Sequence, residues 1–302
     1  MSSAVTPAGG ASQRAAGPSN WYVAPALGVF VLFAIVPLGI AVWLSFTRWD
    51  AITPPEFVGL DNWRQVPADS ATWHSLWLSL KVVAYSWVVQ TPISLLLGVY
   101  VAGRQRFRAV LAAIYFVPLI LSSAAVGIAF KSILDPNFGL SASLGIPWLK
   151  QNWLGNPNLI LPVVVFIIAW QFVPFHTLLY QGGARQIPLS LYEASQIDGA
   201  SRLRQFFWIT LPQLRYTIVT SSTIMITGSL TYFDVVFVLT GGVPGSAINI
   251  LPISMYVTGF SANQFGSASV LATLLAVIGL AVSLVLTKIS GFNRMSSQQE
   301  GL

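Results

Sequence analysis

Few side chains in this sequence have the type and spacing needed for chemistry, and they lie far apart along the chain. There is no cysteine, and His74 and His176 are the two histidines, in unlike contexts. A disulfide framework, a thiol nucleophile, a cysteine-ligated zinc and an iron–sulfur cluster are therefore excluded, and a histidine-rich metal site is not expected. The sequence contains no G-x-x-x-x-G-K-[ST] phosphate loop and no G-x-S-x-G nucleophile elbow. Two ionisable residues, Lys81 and Asp234, interrupt long apolar runs. Lys81 can carry its charge along its own methylene stem to the end of such a run. Asp234 is too short for that, and it follows Tyr232 and Phe233. Carboxylates accept hydrogen bonds and amides both donate and accept them, so either can bind a hydroxyl-rich solute above an aromatic face. Asp234 with Tyr232 and Phe233, and Gln171 beside Trp170, are candidates for such a pathway. The competing reading has Asp234 capping or pairing locally to hold its own helix.

The elements that must carry these residues follow from composition. The chain has 302 residues, of which 55% are hydrophobic, 13% aromatic and 8% charged. A soluble domain carries about 25% charged residues, and the mean hydropathy here is +0.71. So little charge cannot cover a water-facing surface, which points to an all-α protein with several membrane spans. A bilayer core needs about 20 apolar residues per helix. That test places six spans, at about 21–46, 73–102, 109–130, 159–181, 217–239 and 268–287. The first run is too long, and too poor in preceding cations, for a cleaved signal peptide. Pro92, Pro118 and Pro174 fall inside spans, where kinks are expected. Residues 1–20 read as a disordered tail, 21–290 as the transmembrane domain and 291–302 as a second tail.

Six spans put both termini on one side. That side holds ten basic residues: Arg14, Arg104, Arg106, Arg108, Arg185, Arg202, Arg204, Arg215, Lys288 and Arg294. The other holds four, Arg48, Arg64, Lys131 and Lys150. Cytoplasmic loops carry the excess of Lys and Arg, so the termini are expected in the cytoplasm. In a membrane protein this asymmetry serves topology, and no nucleic-acid partner is expected.

The segment 182–216 is longer than a connection requires, and it has internal pattern. Ser190-Leu191-Tyr192-Glu193 has the form of a capping box, predicting a helix from Leu191. Gly199 interrupts it, a second helical stretch runs from Ser201 to Ile209, and Pro212 is expected to stop that stretch. The unit reads equally as a docking knob for a partner or as an amphipathic helix held on anionic lipid by Arg202 and Arg204.

The string Glu193-Ala194-Ser195, three residues, Gly199, nine residues, Ile209-Thr210-Leu211-Pro212 resembles the EAA loop of binding-protein-dependent ABC importer permeases. Ser195 in place of a second alanine is the single departure. Tyr232-Phe233-Asp234-Val235-Val236-Phe237-Val238-Leu239-Thr240-Gly241-Gly242, together with Val117-Pro118 and Asp135-Pro136-Asn137-Phe138-Gly139, is similar to carbohydrate permeases of the maltose-importer type. The resemblance implies a multi-pass protein of the bacterial inner membrane that carries a mono-, di- or oligosaccharide or a sugar derivative. It implies four kinds of partner: a second permease, a dimeric ATP-binding subunit, an extracellular solute-binding protein and the lipid bilayer. The chain would hold no cofactor, since ATP would be bound by the partner. Glu193, Ala194, Ser195, Asp198, Gly199, Ile209, Leu211 and Pro212 would form the loop seated in the ATPase. The alternative is a self-contained secondary transporter or channel for a small polar solute, which would want more embedded charge and an inverted repeat. A membrane enzyme lacks a catalytic cluster.

The absence of native cysteine makes the orientation directly testable. Single cysteines at Ser143 and Ser246 are expected to react with an impermeant thiol reagent added outside intact cells, and one at Ser296 is not. Labelling at Ser296 overturns the orientation.

Overall fold

The computed structural model describes residues 20–103, 110, 113–146, 150–242 and 248–289. The segments 1–19 and 290–302, where the two tails were expected, lie outside the described residues. The described chain is almost wholly helical. In order it forms α1 Trp21–Leu44, a short antiparallel pair β1 Thr47–Arg48 and β2 Glu56–Phe57, α2 Asp61–Ala68 and α3 Ser70–Val101. Three short helices follow, α4 Val117–Ile120, α5 Ser123–Ile133 and α6 Leu140–Leu144. Next come α7 Ile160–Arg185, α8 Leu189–Ile197, α9 Arg202–Gln205 and α10 Leu211–Gln213. The chain ends with α11 Arg215–Ser229, α12 Asp234–Thr240, α13 Leu251–Tyr256 and α14 Phe265–Ile289.

Four described helices are long and apolar enough to cross a membrane: Trp21–Leu44, Ser70–Val101, Ile160–Arg185 and Phe265–Lys288. The interval expected as a fifth span is a bent pair, Arg215–Ser229 and Asp234–Thr240, with 41° between its halves. The interval expected as the third span differs from a continuous helix. Leu121 and Ser122 are extended, at ψ 141° and 145°, and separate α4 from α5. Ser122 restarts the helix by accepting a hydrogen bond from the Ala125 N–H at 3.2 Å. Pro118 lies in the first turn of the short α4, just after a one-residue interruption that follows helical residues 113–115, and its missing N–H costs nothing in a first turn. Pro92 and Pro174 lie within the unbroken α3 and α7.

The packing surface of the longest helix is polar and small. Along α3, Ser75, Ser79, Ser86, Gln90, Ser94 and Gly98 are all buried, at spacings that keep them on one face. Trp73, Trp77, Val88, Ile93 and Leu96 face outward. Lipid tails are as apolar as leucine, so apolar side chains gain nothing by packing inward; small residues permit close helix approach. At Gly98 the approach to α7 is closest. A Cβ there would lie 2.5 Å from the Tyr180 Cβ and 2.9 Å from the Thr177 carbonyl. The main apolar core joins five helices: Leu78 and Val82 of α3, Val126 of α5, Val164, Ile167 and Ile168 of α7, Val235, Val236 and Leu239 of α12, and Ile253 of α13.

The two ends of the bundle can be told apart. The loop after α1 is tied to the start of α14 by the Phe265 N–H, which donates to the Trp49 carbonyl at 3.0 Å. Asn62 reinforces that end by donating to the Ser45 and Thr47 carbonyls at 3.0 and 2.8 Å. Backbone N–H groups of Thr53 and Ile52 hold the Asp50 carboxyl down at about 2. At the other end of α14, Leu286 shares a cleft with Arg215 and Tyr216 at the start of α11. The 182–216 segment and the end of α14 therefore lie on the face opposite the 47–65 loop.

Gly98→Val is expected to force α3 and α7 apart, at a cost of about 1–3 kcal/mol for an overpacked contact. Thermal unfolding in detergent reads this directly. A Gly98→Val protein as stable as its parent would show that the contact is not tight.

Candidate functional site

The segment after α7 folds into a compact helix–turn–helix knob. Its first helix, α8, starts at Leu189 with Pro188 as the boundary residue and no side-chain cap. This corrects the expected capping box. A proline excludes helix from the residue before it, so the boundary falls at Pro188, and Ser190 and Glu193 already lie inside the helix. Glu193 is exposed and is not engaged in a cap. The end of α8 matches expectation in detail. Gly199 is left-handed at φ +73°, its N–H donates to the Gln196 carbonyl at 3.0 Å, and the Ala200 N–H donates to the Ser195 carbonyl at 2.9 Å. This pair of bonds is a Schellman closure, in which glycine carries the left-handed residue without a Cβ penalty. No described residue lies within 4 Å of where a Gly199 Cβ would stand.

Ser201 caps α9 by accepting from the Arg204 N–H at 3.4 Å. The second helix then continues past Pro212, where a stop was expected. A wider π turn over Phe206–Thr210 precedes α10, and such a turn shifts the ladder by one residue and absorbs a ring that an α turn would exclude. The helix ends instead at Leu214, before α11.

The two helices are clasped by Ser195, which sequence reasoning named, together with Tyr192, Gln205 and Thr210, to which it gave no role. The Ser195 hydroxyl donates to the Tyr192 carbonyl at 2.8 Å and accepts from Gln205 Nε2 at 2.9 Å. The Tyr192 and Thr210 hydroxyls bond at 2.8 Å. Gln205 and Thr210 are buried. The available signal was Ser195 itself: a hydroxyl in a small-residue position between two packed helices needs a partner. Ala194 and Asp198 are exposed, and Ile209 and Leu211 are partly buried. On the outer side, Ile197 is 88%, Leu203 69% and Trp208 78% exposed. A groove of about 450 Å³ runs between Ser195, Asp198, Ala200, Arg204, Trp208 and Ile209.

The five pathway candidates are not gathered into one site. Gln171 is buried, and its Nε2 donates to the Leu121 carbonyl at 3.1 Å and to Ser123 Oγ at 3.2 Å. It thus serves the break between α4 and α5. Trp170, a helical step of about 100° away, packs edge-on against Phe130 at 5.3 Å. Tyr232 stacks on Phe172 at 5.4 Å and Phe233 on Phe237 at 4.9 Å. Asp234 opens α12 and is exposed on this chain, where the first turn of a helix favours a carboxylate. It forms no hydrogen bond or ion pair among the described residues. A further buried polar contact, His176 Nδ1 to Ser221 Oγ at 2.9 Å, joins α7 to α11. The Lys81 Nζ lies over the Trp77 ring at 5.4 Å.

Long apolar helices, one of them with a small and polar buried face, and a clasped knob at one end of the bundle define a multi-pass membrane protein. The chain belongs to the family described as binding-protein-dependent transport system inner membrane component, whose profile matches residues 91–291. It is 32% identical over 268 residues to the multiple sugar-binding transport system permease protein MsmF of Streptococcus mutans, covering 86% of this chain and 90% of the relative. It is 31% identical over 280 residues to the trehalose/maltose transport system permease protein MalF of Thermococcus litoralis, covering 90% and 93%. A chain in the crystal structure of a bacterial alginate ABC transporter, bound to an alginate pentasaccharide-loaded periplasmic protein, has the same fold. Its TM-score is 0.74 at 19% identity, over 90% of this chain and 93% of that one.

Gln171→Leu is expected to lower thermal stability by about 1–3 kcal/mol, the cost of leaving the Leu121 carbonyl unpaired where lipid offers no donor, with solute present or absent. Asp234→Asn should cost no more than the loss of an exposed first-turn carboxylate, about 0.3–1 kcal/mol. Unfolding curves of the two variants separate the roles: a stable Gln171→Leu protein with altered solute affinity would return Gln171 to the pathway.

Proposed function

We propose that this chain is a permease subunit of an ATP-driven ABC importer for a carbohydrate, and that the knob 188–212 couples it to an ATP-binding partner. The observation that carries the reading is the left-handed Gly199 with open space where a side chain would stand, on a knob held rigid by the Ser195–Gln205 clasp. A surface kept clear by glycine and flanked by exposed Glu193, Ala194 and Asp198 suits a close protein contact. Family membership and sugar-named relatives over nearly the full length support a carbohydrate as the solute. ATP is bound and hydrolysed by the partner, so the chain is a transport subunit and not itself an enzyme.

In this reading a second permease completes the pathway, and a solute-binding protein delivers the sugar at the face of the 47–65 loop. The knob lies in the cytoplasm of a bacterial inner membrane, in accord with the basic residues on its side. Closure of the ATPase pair moves the knob as one body, because the clasp and the Schellman turn leave it no internal hinge. That motion passes along α7 and α11, between which the knob is inserted, and turns the cavity between the two permeases. Asp234, exposed at the start of α12 and unpaired among the described residues, is the pathway residue that can meet a sugar hydroxyl. Asp234→Asn is accordingly placed on the transport side and not on the stability side.

Gly199→Asp tests the coupling role. Aspartate tolerates the left-handed region better than most residues, so the knob keeps its shape while a charge is pushed into the contact. The variant permease is expected to reach the membrane and pair with the second permease, and to lose most of the ATPase subunit and of sugar uptake on purification. Arg202→Glu with Arg204→Glu should be milder. Full ATPase retention and uptake with Gly199→Asp, and damage from the arginine pair alone, would assign the knob to the lipid surface.

A further inference from the structure

A second site lies at the knob end of the bundle, away from the knob itself. Trp87 of α3, Tyr216, Ile218, Val219 and Ser222 of α11 and Leu286 of α14 enclose a cleft of about 410 Å³, with Arg215 at its rim. The cleft opens outward between three helices, and the outer faces of α3 and α14 beside it are apolar: Val88 and Val89, Leu280, Leu284 and Val285 are all exposed. Two contacts shape it. The Trp87 indole N–H donates to Ser222 Oγ at 2.9 Å, which holds the ring as one wall. The Arg215 guanidinium donates from Nη2 to the Tyr216 hydroxyl at 2.9 Å and lies 4.6 Å from that ring. No carboxylate lies within ion-pair distance of Arg215 among the described residues, where the one ion pair joins Arg48 and Glu56.

We propose that this cleft seats an anionic phospholipid, with its phosphate on Arg215 and one acyl chain in the slot between Trp87, Ile218, Val219 and Leu286. The depth profile fits a lipid and not a soluble solute. The cation sits at the start of α11, where the chain leaves the knob, and the walls behind it, running into the bilayer, are aliphatic and aromatic. A guanidinium gives two parallel donors to a phosphate. No carboxylate among the described residues competes for it, and the headgroup region of the cytoplasmic leaflet offers anionic phosphates. Arg215 also begins the helix that carries coupling motion from the knob. A lipid seated there bridges α3, α11 and α14 and braces the base of the knob.

The site can be tested in the purified assembly, reconstituted in nanodiscs of phosphatidylcholine carrying a minor fraction of acyl-brominated lipid. Bromine quenches indole emission at contact, and the Trp87 share is read by difference from Trp87→Phe. Brominated phosphatidylglycerol is expected to quench that share with about fivefold higher apparent affinity than brominated phosphatidylcholine, the preference conferred by one basic side chain. Arg215→Gln should make the two lipids equal. Leu286→Trp, which fills the slot without touching Arg215, should reduce the phosphatidylglycerol co-purifying with the complex, counted by mass spectrometry. Inorganic phosphate should not displace the lipid. Equal quenching by both lipids in the parent, no quenching by either, or a preference that survives Arg215→Gln overturns the assignment. Displacement by inorganic phosphate would make this a site for free anions.

Discussion

Inside a bilayer no water is present to satisfy a backbone N–H or C=O group, and each group left unpaired costs several kcal/mol. Every departure from continuous helix in this chain therefore needs a partner from elsewhere in the fold. The break at Leu121–Ser122 has two: Ser122 caps the next helix, and the buried Gln171 reaches from α7 to the Leu121 carbonyl. The break after α11 is closed locally, by the Thr231 N–H and hydroxyl on the Gly228 carbonyl at 3.0 and 2.9 Å. Stacking of Tyr232 on Phe172 holds the turn against α7. The irregular segments are possible because α7 is packed to serve both.

That dependence explains why α3 and α7 form the most extensive helix contact of the fold. Their contact joins aliphatic side chains, Leu78 and Val82 with Val164, Ile167 and Ile168, to buried small residues of α3, with serines that return their hydroxyls to their own helix, as Ser79 does to Ser75 and Ser94 to Gln90. A serine satisfied in this way packs as a small residue and still permits close approach. The Ser79 hydroxyl additionally accepts from the Leu251 N–H at 2.8 Å, which secures the start of α13. The bent pair α11 and α12 is packed against this pair of helices.

The knob follows a different physical logic, with side-chain hydrogen bonds joining its two helices. Its two helices are joined by hydrogen bonds among Tyr192, Ser195, Gln205 and Thr210, Phe206 and Leu211 pack inward toward Leu214 and Tyr180, and Ile197, Leu203 and Trp208 are exposed. A unit that joins its helices with polar contacts, and leaves three large apolar groups exposed, is organised for contact with something else. Ser195 shows how a small departure from a family pattern acquires a structural use: its extra hydroxyl forms the clasp between the two helices.

Much of this was legible from the sequence. Charge depletion and apolar runs specify a helical membrane protein, because the bilayer leaves the backbone few alternatives. Four of those runs coincide with helices long and apolar enough to cross it. The spacing from Glu193 through Gly199 to Pro212 marks out the knob, since a left-handed glycine between two helices is a local constraint. The tertiary structure decided what depends on distant partners. Local pattern could not show that Leu121 and Ser122 leave the helix, because the amide that makes this possible belongs to Gln171, 50 residues away. Nor could it place Asp234 on the outside while Gln171 is buried, since apolar and aromatic neighbours in sequence say little about which face a helix turns inward. The start of α8 at Pro188 and the passage of the second helix through Pro212 were settled by a competing boundary and a widened turn. The rule about proline was sound in both places, and the surrounding hydrogen bonds determined how it applied.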